Sequence, residues 1–156
     1  MNYFPLTKEQ QEWQERAADI AARELAPRAA ETDRTGTYPQ VALEALKAEG
    51  LWGLRVSKEH GGLGADLLTT SIVVEEFSKK CASTCMCYKM HLEAAEIICR
   101  VPTGYQVQHF VEPMAKGEVF TTIAGGESQG EGDNWNAAQT ASHVDIVDGG
   151  YQINNV

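Results

Sequence analysis

The spacing of apolar residues changes after Gly117, and this change limits the folds open to the chain more than any other feature. Before Gly117 they recur at the three- and four-residue spacing of amphipathic helices. After it, residues 119–123 are β-branched and aromatic, residues 141–147 alternate polar and apolar, and residues 148–150 give a strong turn signal. We predict an α+β fragment: a mainly α-helical amino-terminal bundle over residues 1–117, then the first strands of a truncated β-barrel-like domain over residues 118–156.

The segment before Gly117 is predicted to contain five helices. Thr7 and Gln10 have the spacing of a capping box, which satisfies two backbone donors at a helix start. Helical spacing then continues to Pro27, which has no backbone N–H and should kink or break the helix. Pro39 and Gly50 mark the ends of the second helix, and Asp66 marks the start of a third that extends to about Lys80. A fourth helix is predicted over about residues 83–100 and a fifth over about residues 104–116, closed by Gly117.

Side-chain orientation can be predicted for part of this bundle. On the third helix, the spacing predicts that Leu68, Ile72, Val73 and Phe77 face the core. Residues 51–54, which lead out of the second helix, are predicted to be extended or irregular.

Two glycine-rich segments are candidates for ligand contact. Residues 61–64 precede a helix but match neither the dinucleotide fingerprint nor the phosphate-loop pattern, so a tight interhelical connection is favoured over a phosphate cradle. Residues 125–136 form a long polar segment between two predicted strands. Its glycines allow backbone amides to approach a ligand closely, and an ordinary surface loop is the alternative.

Composition excludes several classes of partner. The formal charge is -9, from 13 basic and 22 acidic side chains, so neither a nucleic acid nor an anionic membrane surface is an expected partner. We see no secretory signal and no apolar run long enough to span a bilayer, and we therefore expect a cytoplasmic protein.

Cysteines and a histidine in the fourth helix do not form a metal-binding pattern. At about 100° per residue, Cys85 and Cys87 point to nearly opposite sides of a helix. Together with Cys81 and His91 they therefore cannot converge on one ion, and their spacing is not that of a zinc site. Buried free thiols and a structural histidine are the favoured interpretation.

Several short motifs follow one another along the whole chain. They are Leu6-Thr7-x-Glu9-Gln10, Leu25-x-Pro27, Tyr38-Pro39, Gly50-Leu51-Trp52-Gly53-Leu54, Glu59-His60-Gly61-Gly62-Leu63-Gly64, Val74-Glu75-Glu76-Phe77-Ser78 and Asp148-Gly149-Gly150-Tyr151-Gln152-Ile153-Asn154. In order and spacing they resemble the amino-terminal part of the acyl-CoA dehydrogenase family.

The resemblance implies an FAD-dependent oxidoreductase of fatty acid metabolism that acts on the Cα–Cβ bond of an acyl-CoA thioester. It also implies an electron-transfer acceptor and a homo-oligomer, usually a homotetramer. In the family the catalytic carboxylate belongs to a carboxy-terminal helical domain. No residue of this chain is therefore expected to be the catalytic base.

The resemblance also implies site residues. The family's Thr-Glu-Pro-x-x-Gly-Ser-Asp flavin loop aligns with residues 126–133, where Gly126 and Gly132 replace its hydroxyl-bearing residues. The implied cofactor-binding residues are Gly125, Gly126, Glu131 and Gly132. The implied substrate-binding residues are Lys89, Met90 and Gly132, with Lys89 and Met90 near the helix that closes the family's acyl pocket.

Two alternatives stay open. The substituted flavin loop is compatible with a flavin-dependent monooxygenase of the same fold. Amphipathic helices also suit a non-catalytic helical module that binds a partner.

Overall fold

The computed structural model of the chain describes residues 5–123 and 143–154. The chain divides into two compact units, Met1–Ile123 and Ala124–Val156. The first unit is helical in its described part and the second contains two antiparallel strands, which confirms the predicted fold class. The boundary between residues 117 and 118 remains a prediction.

The helical elements of the described chain follow one another with short connections. They are α1 (Lys8–Ile20), a π turn (Ala21–Leu25), α2 (Ala26–Thr35), α3 (Gln40–Ala48), two 3-10 turns (Leu51–Gly53 and Lys58–His60), α4 (Leu67–Ser78), α5 (Ala82–Arg100), α6 (Gly104–Gln106), a second π turn (Val107–Val111) and α7 (Glu112–Ala115).

The predicted helix starts are confirmed. Thr7 caps α1 with a capping box, in which the Gln10 N–H donates to Thr7 Oγ1 at 3.2 Å and the Thr7 N–H donates to Gln10 Oε1 at 3.0 Å. Asp66 caps α4 by accepting from the Thr69 N–H at 2.7 Å. Beyond α3, Gly50 adopts a φ of 74°, a left-handed conformation that favours glycine.

The sequence predicted a kink or a break at Pro27, and the break does not occur because Pro27 does not end the first helical segment. The chain stays helical to Thr35, and the disturbance takes the form of the π turn Ala21–Leu25 just before the proline. Ala26 donates its N–H to Ala21 O, five residues back, instead of four. This wider turn lets the helix pass a residue that has no N–H to donate.

The same arrangement recurs before Pro113. The π turn Val107–Val111 directly precedes α7, and Glu112 donates its N–H to Val107 O. Each π turn ends two residues before a proline. The predicted fifth helix is therefore one helical segment, from Gly104 to Ala115, that contains a π turn.

The core of the first unit lies among α1, α3, α4 and α5. Ile72, Val73 and Phe77 face it as predicted. Leu68 does not, because its side chain is 49% exposed, and the inward prediction is wrong at that position. The buried face of α4 centres on Val73 and Glu76, and Leu68 lies roughly 110° around the helix from that centre.

Residues 51–54 form a buried 3-10 turn, not the extended or irregular segment that was predicted. Two long-range hydrogen bonds hold this turn. Tyr88 donates its hydroxyl to Leu51 O at 2.8 Å, and Trp52 donates Nε1–H to Leu43 O at 3.1 Å. Burial leaves these backbone groups no water to bond, so a helical turn with side-chain partners is the stable form.

The glycine-rich segment of residues 61–64 is a tight interhelical connection, as the sequence favours. The N–H groups of Gly62, Leu63 and Gly64 donate to Ser57 O, Gly53 O and Val56 O at 3.0, 2.9 and 2.8 Å. Because these donors bond within the protein, they do not form a cradle for a phosphate.

The described part of the second unit is a two-stranded antiparallel hairpin. It consists of β1 (His143–Val147) and β2 (Gly150–Asn154), in a register that pairs Asp145 with Gln152. Asp148 and Gly149 form the predicted turn, with Gly149 at a φ of 79°.

Residues 119–123 do not pair as a strand with any other residue that the structure describes, which differs from the sequence prediction. The backbone N–H of Thr121 instead donates to the ring of His91 on α5. A β-branched sequence becomes a strand only when a second strand lies beside it.

Candidate functional site

A groove of about 710 Å³ opens between α4 and α5 in the helical unit. It is lined by side chains of these two helices together with Arg55 and Ile123, which come from distant parts of the chain. The lining residues are Arg55, Leu67, Thr70, Ser71, Val74, Glu75, Lys89, Leu92, Glu93, Glu96, Ile97, Arg100 and Ile123.

The apolar walls come from both helices. Leu67 and Val74 of α4 face Leu92 and Ile97 of α5, and Ile123 adds a further aliphatic side chain. Ile97 is 65% exposed and Leu67 is also largely exposed, so this surface presents apolar area to a ligand. A groove of this size with predominantly aliphatic walls suits a chain-like apolar group.

The charged side chains of the groove are arranged as ion pairs. Lys89 pairs with Glu93, one helical turn further along α5. Glu96 pairs with Arg55 and, at 3.1 Å, with Arg100. Glu75 pairs with Lys79 at 2.8 Å. Since each of these charges has a partner of opposite sign, the groove carries no strong net field toward a ligand.

Arg55 joins three segments of the helical unit. Its side chain is only 13% exposed and donates to Ala65 O and to Glu96. The hydrogen bond from Arg55 lowers the pKa of Glu96, with a further contribution from Arg100. The carboxylate of Glu96 is therefore held ionised in the lining of the groove.

Of the two predicted substrate-binding residues that the structure describes, one lines the groove and the other does not. Lys89 lines the groove, whereas Met90 is half-buried and is not one of the lining residues. The roles of Lys89 and Met90 in substrate binding remain predictions. The predicted contacts Gly125, Gly126, Glu131 and Gly132 lie outside the described residues, so FAD binding rests on the family resemblance alone.

Sequence reasoning missed Arg55, Glu96 and Ile123 as groove residues. Arg55 did carry a local signal, because it is a single charge inside the apolar run from Leu51 to Val56. Ile123 was predicted to lie in a strand, and its position beside α5 depends on a contact made across 30 residues of sequence.

His91 is a buried structural residue, as its sequence context favours. Its Nε2 lies 2.8 Å from Trp52 O, and its Nδ1 accepts from the Thr121 N–H at 3.0 Å. The ring of Phe120 stacks on it, with centroids 4.5 Å apart and planes 13° apart. Desolvation lowers the pKa of His91, so the ring is neutral near pH 7.

The cysteines are free thiols in the structure. Cys81 accepts from the Thr84 N–H at the start of α5, and Cys85 donates to Val74 O at 3.3 Å. Burial raises the pKa of Cys85 to about 11, so it is a thiol and not a thiolate at neutral pH. Among residues 5–123 and 143–154, no three potential ligands come together to hold a metal ion.

The helices within residues 5–123 are too short or too polar to span a membrane, because none of them combines the length and the apolar character needed to cross a bilayer.

Comparison with known proteins gives consistent matches. The model of the acyl-CoA dehydrogenase amino-terminal domain matches residues 7–118. The short-chain specific acyl-CoA dehydrogenase of Clostridium acetobutylicum is 37% identical over 116 residues, which cover 74% of this chain and 31% of that protein. The acryloyl-CoA reductase (NADH) of Anaerotignum propionicum is 31% identical over 151 residues, 97% of this chain and 38% of that protein.

Solved structures show the same likeness. Butyryl-CoA dehydrogenase from Megasphaera elsdenii aligns with a TM-score of 0.68 and 28% identity over 75% of this chain and 32% of that chain. A chain in the structure of the electron transferring flavoprotein of Acidaminococcus fermentans aligns with a TM-score of 0.80 and 25% identity, over 99% of this chain and 40% of that chain. The present chain spans about a third of the length of the curated relatives it matches.

Proposed function

Because this chain belongs to the acyl-CoA dehydrogenase family of flavoenzymes, we propose that it forms part of an FAD-dependent oxidoreductase that acts on the Cα–Cβ bond of an acyl-CoA thioester. Two of its relatives are named for acyl-CoA compounds, one as a dehydrogenase and one as a reductase. This shared chemistry supports the acyl thioester as the substrate class.

The groove between α4 and α5 is the observation that carries the proposal within this chain. Its aliphatic walls, formed by Val74, Leu92, Ile97 and Ile123 among others, suit the hydrocarbon part of an acyl group. The paired charges along it, such as Lys89 with Glu93, leave no isolated charge that would have to be desolvated by an apolar chain.

The proposed cofactor is FAD, which supplies an acceptor for the hydride when it is bound. Gly125, Gly126, Glu131 and Gly132 are the residues we propose to contact it, through backbone amides where the family has hydroxyl groups. In this chain, the groove residues bind and orient the acyl group and exclude water from it. The family resemblance supports a catalytic carboxylate outside these 156 residues.

Flavin reduction tests the activity directly. We expect that acyl-CoAs of increasing chain length, added without oxygen to the flavin-loaded protein that contains these residues, bleach the oxidised flavin absorbance. If no chain length bleaches it, the dehydrogenase proposal is wrong.

A flavin-dependent monooxygenase of the same fold is the second candidate. The observation that favours it is the replacement of two hydroxyl-bearing flavin-loop residues by Gly126 and Gly132. Oxygen-dependent oxidation of the reduced flavin, coupled to a hydroxylated product, would support this candidate over a dehydrogenase.

We further propose that the protein is cytoplasmic, forms a homo-oligomer, passes its electrons to a separate acceptor and takes part in fatty acid metabolism. The electron transferring flavoprotein structure that contains a similar chain supports an electron-transfer partner. Neither a nucleic acid nor a membrane is a proposed partner, since the formal charge is -9.

A further inference from the structure

His91 connects α5 to two distant segments of the helical unit. The residue is fully buried, with Nε2 2.8 Å from Trp52 O and Nδ1 3.0 Å from the Thr121 N–H. The side chain of Thr121 makes a further contact with this residue, because its Oγ1 donates to His91 O at 3.3 Å.

The two backbone partners determine where the ring carries its proton. A carbonyl oxygen only accepts, so Nε2 must carry a hydrogen and donate it to Trp52 O. A backbone N–H only donates, so Nδ1 must be an unprotonated acceptor for Thr121. The geometry therefore requires the neutral ring with the proton on Nε2.

Aromatic packing holds the same segment against α5. Phe120 stacks on His91 at a centroid distance of 4.5 Å and contacts the Trp52 ring at 4.8 Å. Phe120 and Thr121 are thus fixed through neighbouring contacts, one apolar and one hydrogen-bonded.

Ile123 lies only two residues beyond Thr121 and lines the groove. Two residues of extended chain span at most roughly 7 Å. The position of the Thr121 backbone therefore limits where Ile123 can lie in the groove.

We infer that His91 is a positioning residue for the groove: its unprotonated Nδ1 holds the Thr121 backbone and so places Ile123 against the ligand. The residue itself does not contact the ligand. This inference rests on the proposed function, which identifies the ligand as an acyl-CoA.

Two substitutions separate the two bonds of His91. In His91→Asn, the side-chain oxygen takes the place of Nδ1 and accepts from the Thr121 N–H, while the bond to Trp52 O is lost. In His91→Gln, the side-chain NH₂ group takes the place of Nε2 and donates to Trp52 O, while the acceptor for Thr121 is lost. The two variants are otherwise matched as neutral amides.

The experiment uses the whole protein that contains these residues, with butyryl-CoA as the probe. Methyl NMR of Ile123 reports occupation of the groove, and amide hydrogen exchange at Thr121 reports the bond to Nδ1. We expect wild type and His91→Asn to bind similarly and to protect Thr121. In His91→Gln we expect about tenfold faster exchange at Thr121 and about tenfold weaker binding.

The outcomes distinguish this inference from the proposed function. If butyryl-CoA does not perturb Ile123 in wild type, the groove is not the acyl site. In that case both the role that the proposed function gives to the groove and this inference are wrong. If wild type binds butyryl-CoA and the two variants behave alike, whether both like wild type or both impaired, only the positioning role of His91 is overturned.

A measurement on wild type covers the case in which a variant does not fold. In ¹⁵N-labelled protein we expect a scalar coupling across the hydrogen bond between the Thr121 amide and Nδ1 of His91. The absence of this coupling, or a proton found on Nδ1, would overturn the inference.

Discussion

A β-carbon built on Gly62 would lie 2.2 Å from the carbonyl oxygen of Val56, far inside contact distance. The neighbouring atom is backbone, so it cannot rotate away as a flexible side chain would. Gly62 thus allows the connection before α4 to lie directly against the buried segment that contains Val56.

Replacing Gly62 by alanine should destabilise the fold by about 1–3 kcal/mol, because the added methyl group forces the backbone apart. Gly104→Ala is the control, since its β-carbon meets no atom within 4 Å. We expect Gly104→Ala to be neutral or slightly stabilising. Urea unfolding measures the free energy of unfolding of both variants. Equal values would contradict the expectation, because they would show that the backbone near Gly62 accommodates the methyl group without loss of stability.

The hydroxyl of Tyr88 should contribute measurably to stability. Tyr88→Phe removes the hydroxyl that donates to the buried Leu51 O and leaves that oxygen with the Leu54 N–H as a donor, which should cost about 1 kcal/mol in urea unfolding. Tyr105→Phe removes a hydroxyl from a residue that is 65% exposed and should change the free energy of unfolding by less than about 0.5 kcal/mol. Similar losses in both would refute a specific role for the Tyr88 bond.

Arg55 should not be replaceable by lysine. Its guanidinium bonds Ala65 O and Glu96 together, whereas a lysine ammonium lacks the planar fork that reaches two partners. We expect Arg55→Lys to lose roughly 1–2 kcal/mol of unfolding free energy. Arg34→Lys is the matched control, because Arg34 forms an exposed ion pair with Glu31. An unchanged Arg55→Lys protein would contradict this expectation.

Mildly acidic solution should destabilise the fold through His91. Desolvation lowers its pKa from the ordinary value of 6.5, and the hydrogen bond to Trp52 O offsets this only in part. The folded pKa is then below the unfolded one. The stabilisation is therefore fully present above pH 6.5 and is lost as the pH falls below that value toward the folded pKa.

Urea unfolding at about pH 7.5 and about pH 5.5 measures this effect on either side of the ordinary histidine pKa. The decrease in unfolding free energy should be smaller in His91→Asn, where other titrating groups contribute as in wild type. Tyr88 packs beside His91, but burial raises its pKa well above 10, so it does not titrate in this range. An equal decrease in both proteins would assign the pH dependence to other groups.

Lys89 should influence the preference for acyl chain length if the groove holds the acyl group. Lys89→Met combined with Glu93→Gln removes the whole ion pair from the wall without leaving Glu93 unpaired, and the added apolar surface is worth roughly 1 kcal/mol to a longer chain. The ratio of kcat/KM for octanoyl-CoA to that for butyryl-CoA should then rise about fivefold. Lys80→Met is the control, because Lys80 does not line the groove. An equal rise of the kcat/KM ratio in Lys80→Met would show that the effect does not come from the groove.

Local signals in the sequence predict local structure well. Thr7 with Gln10, and Asp66, mark helix starts because the atoms that satisfy the first N–H groups lie within three residues. The Asp148–Gly149 turn is predictable for the same reason.

Features that depend on distant partners could not be predicted. Residues 119–123 have the composition of a strand, but the hydrogen bond that fixes Thr121 comes from His91, 30 residues earlier in the chain. The groove likewise brings Arg55 and Ile123 to α5 across long stretches of sequence. The family resemblance identified the fold as a whole, yet it could not supply these contacts.

The two π turns have a consequence for how the chain tolerates a change in length. A π turn holds about one more residue than an α-helical turn, so Ala21–Leu25 and Val107–Val111 each absorb one inserted residue. Deleting one residue from such a turn, together with replacement of Pro27 or Pro113, would leave a regular helix with its flanking faces still in phase. Elsewhere in these helices a single deletion would rotate every following side chain by about 100° away from its packing partner.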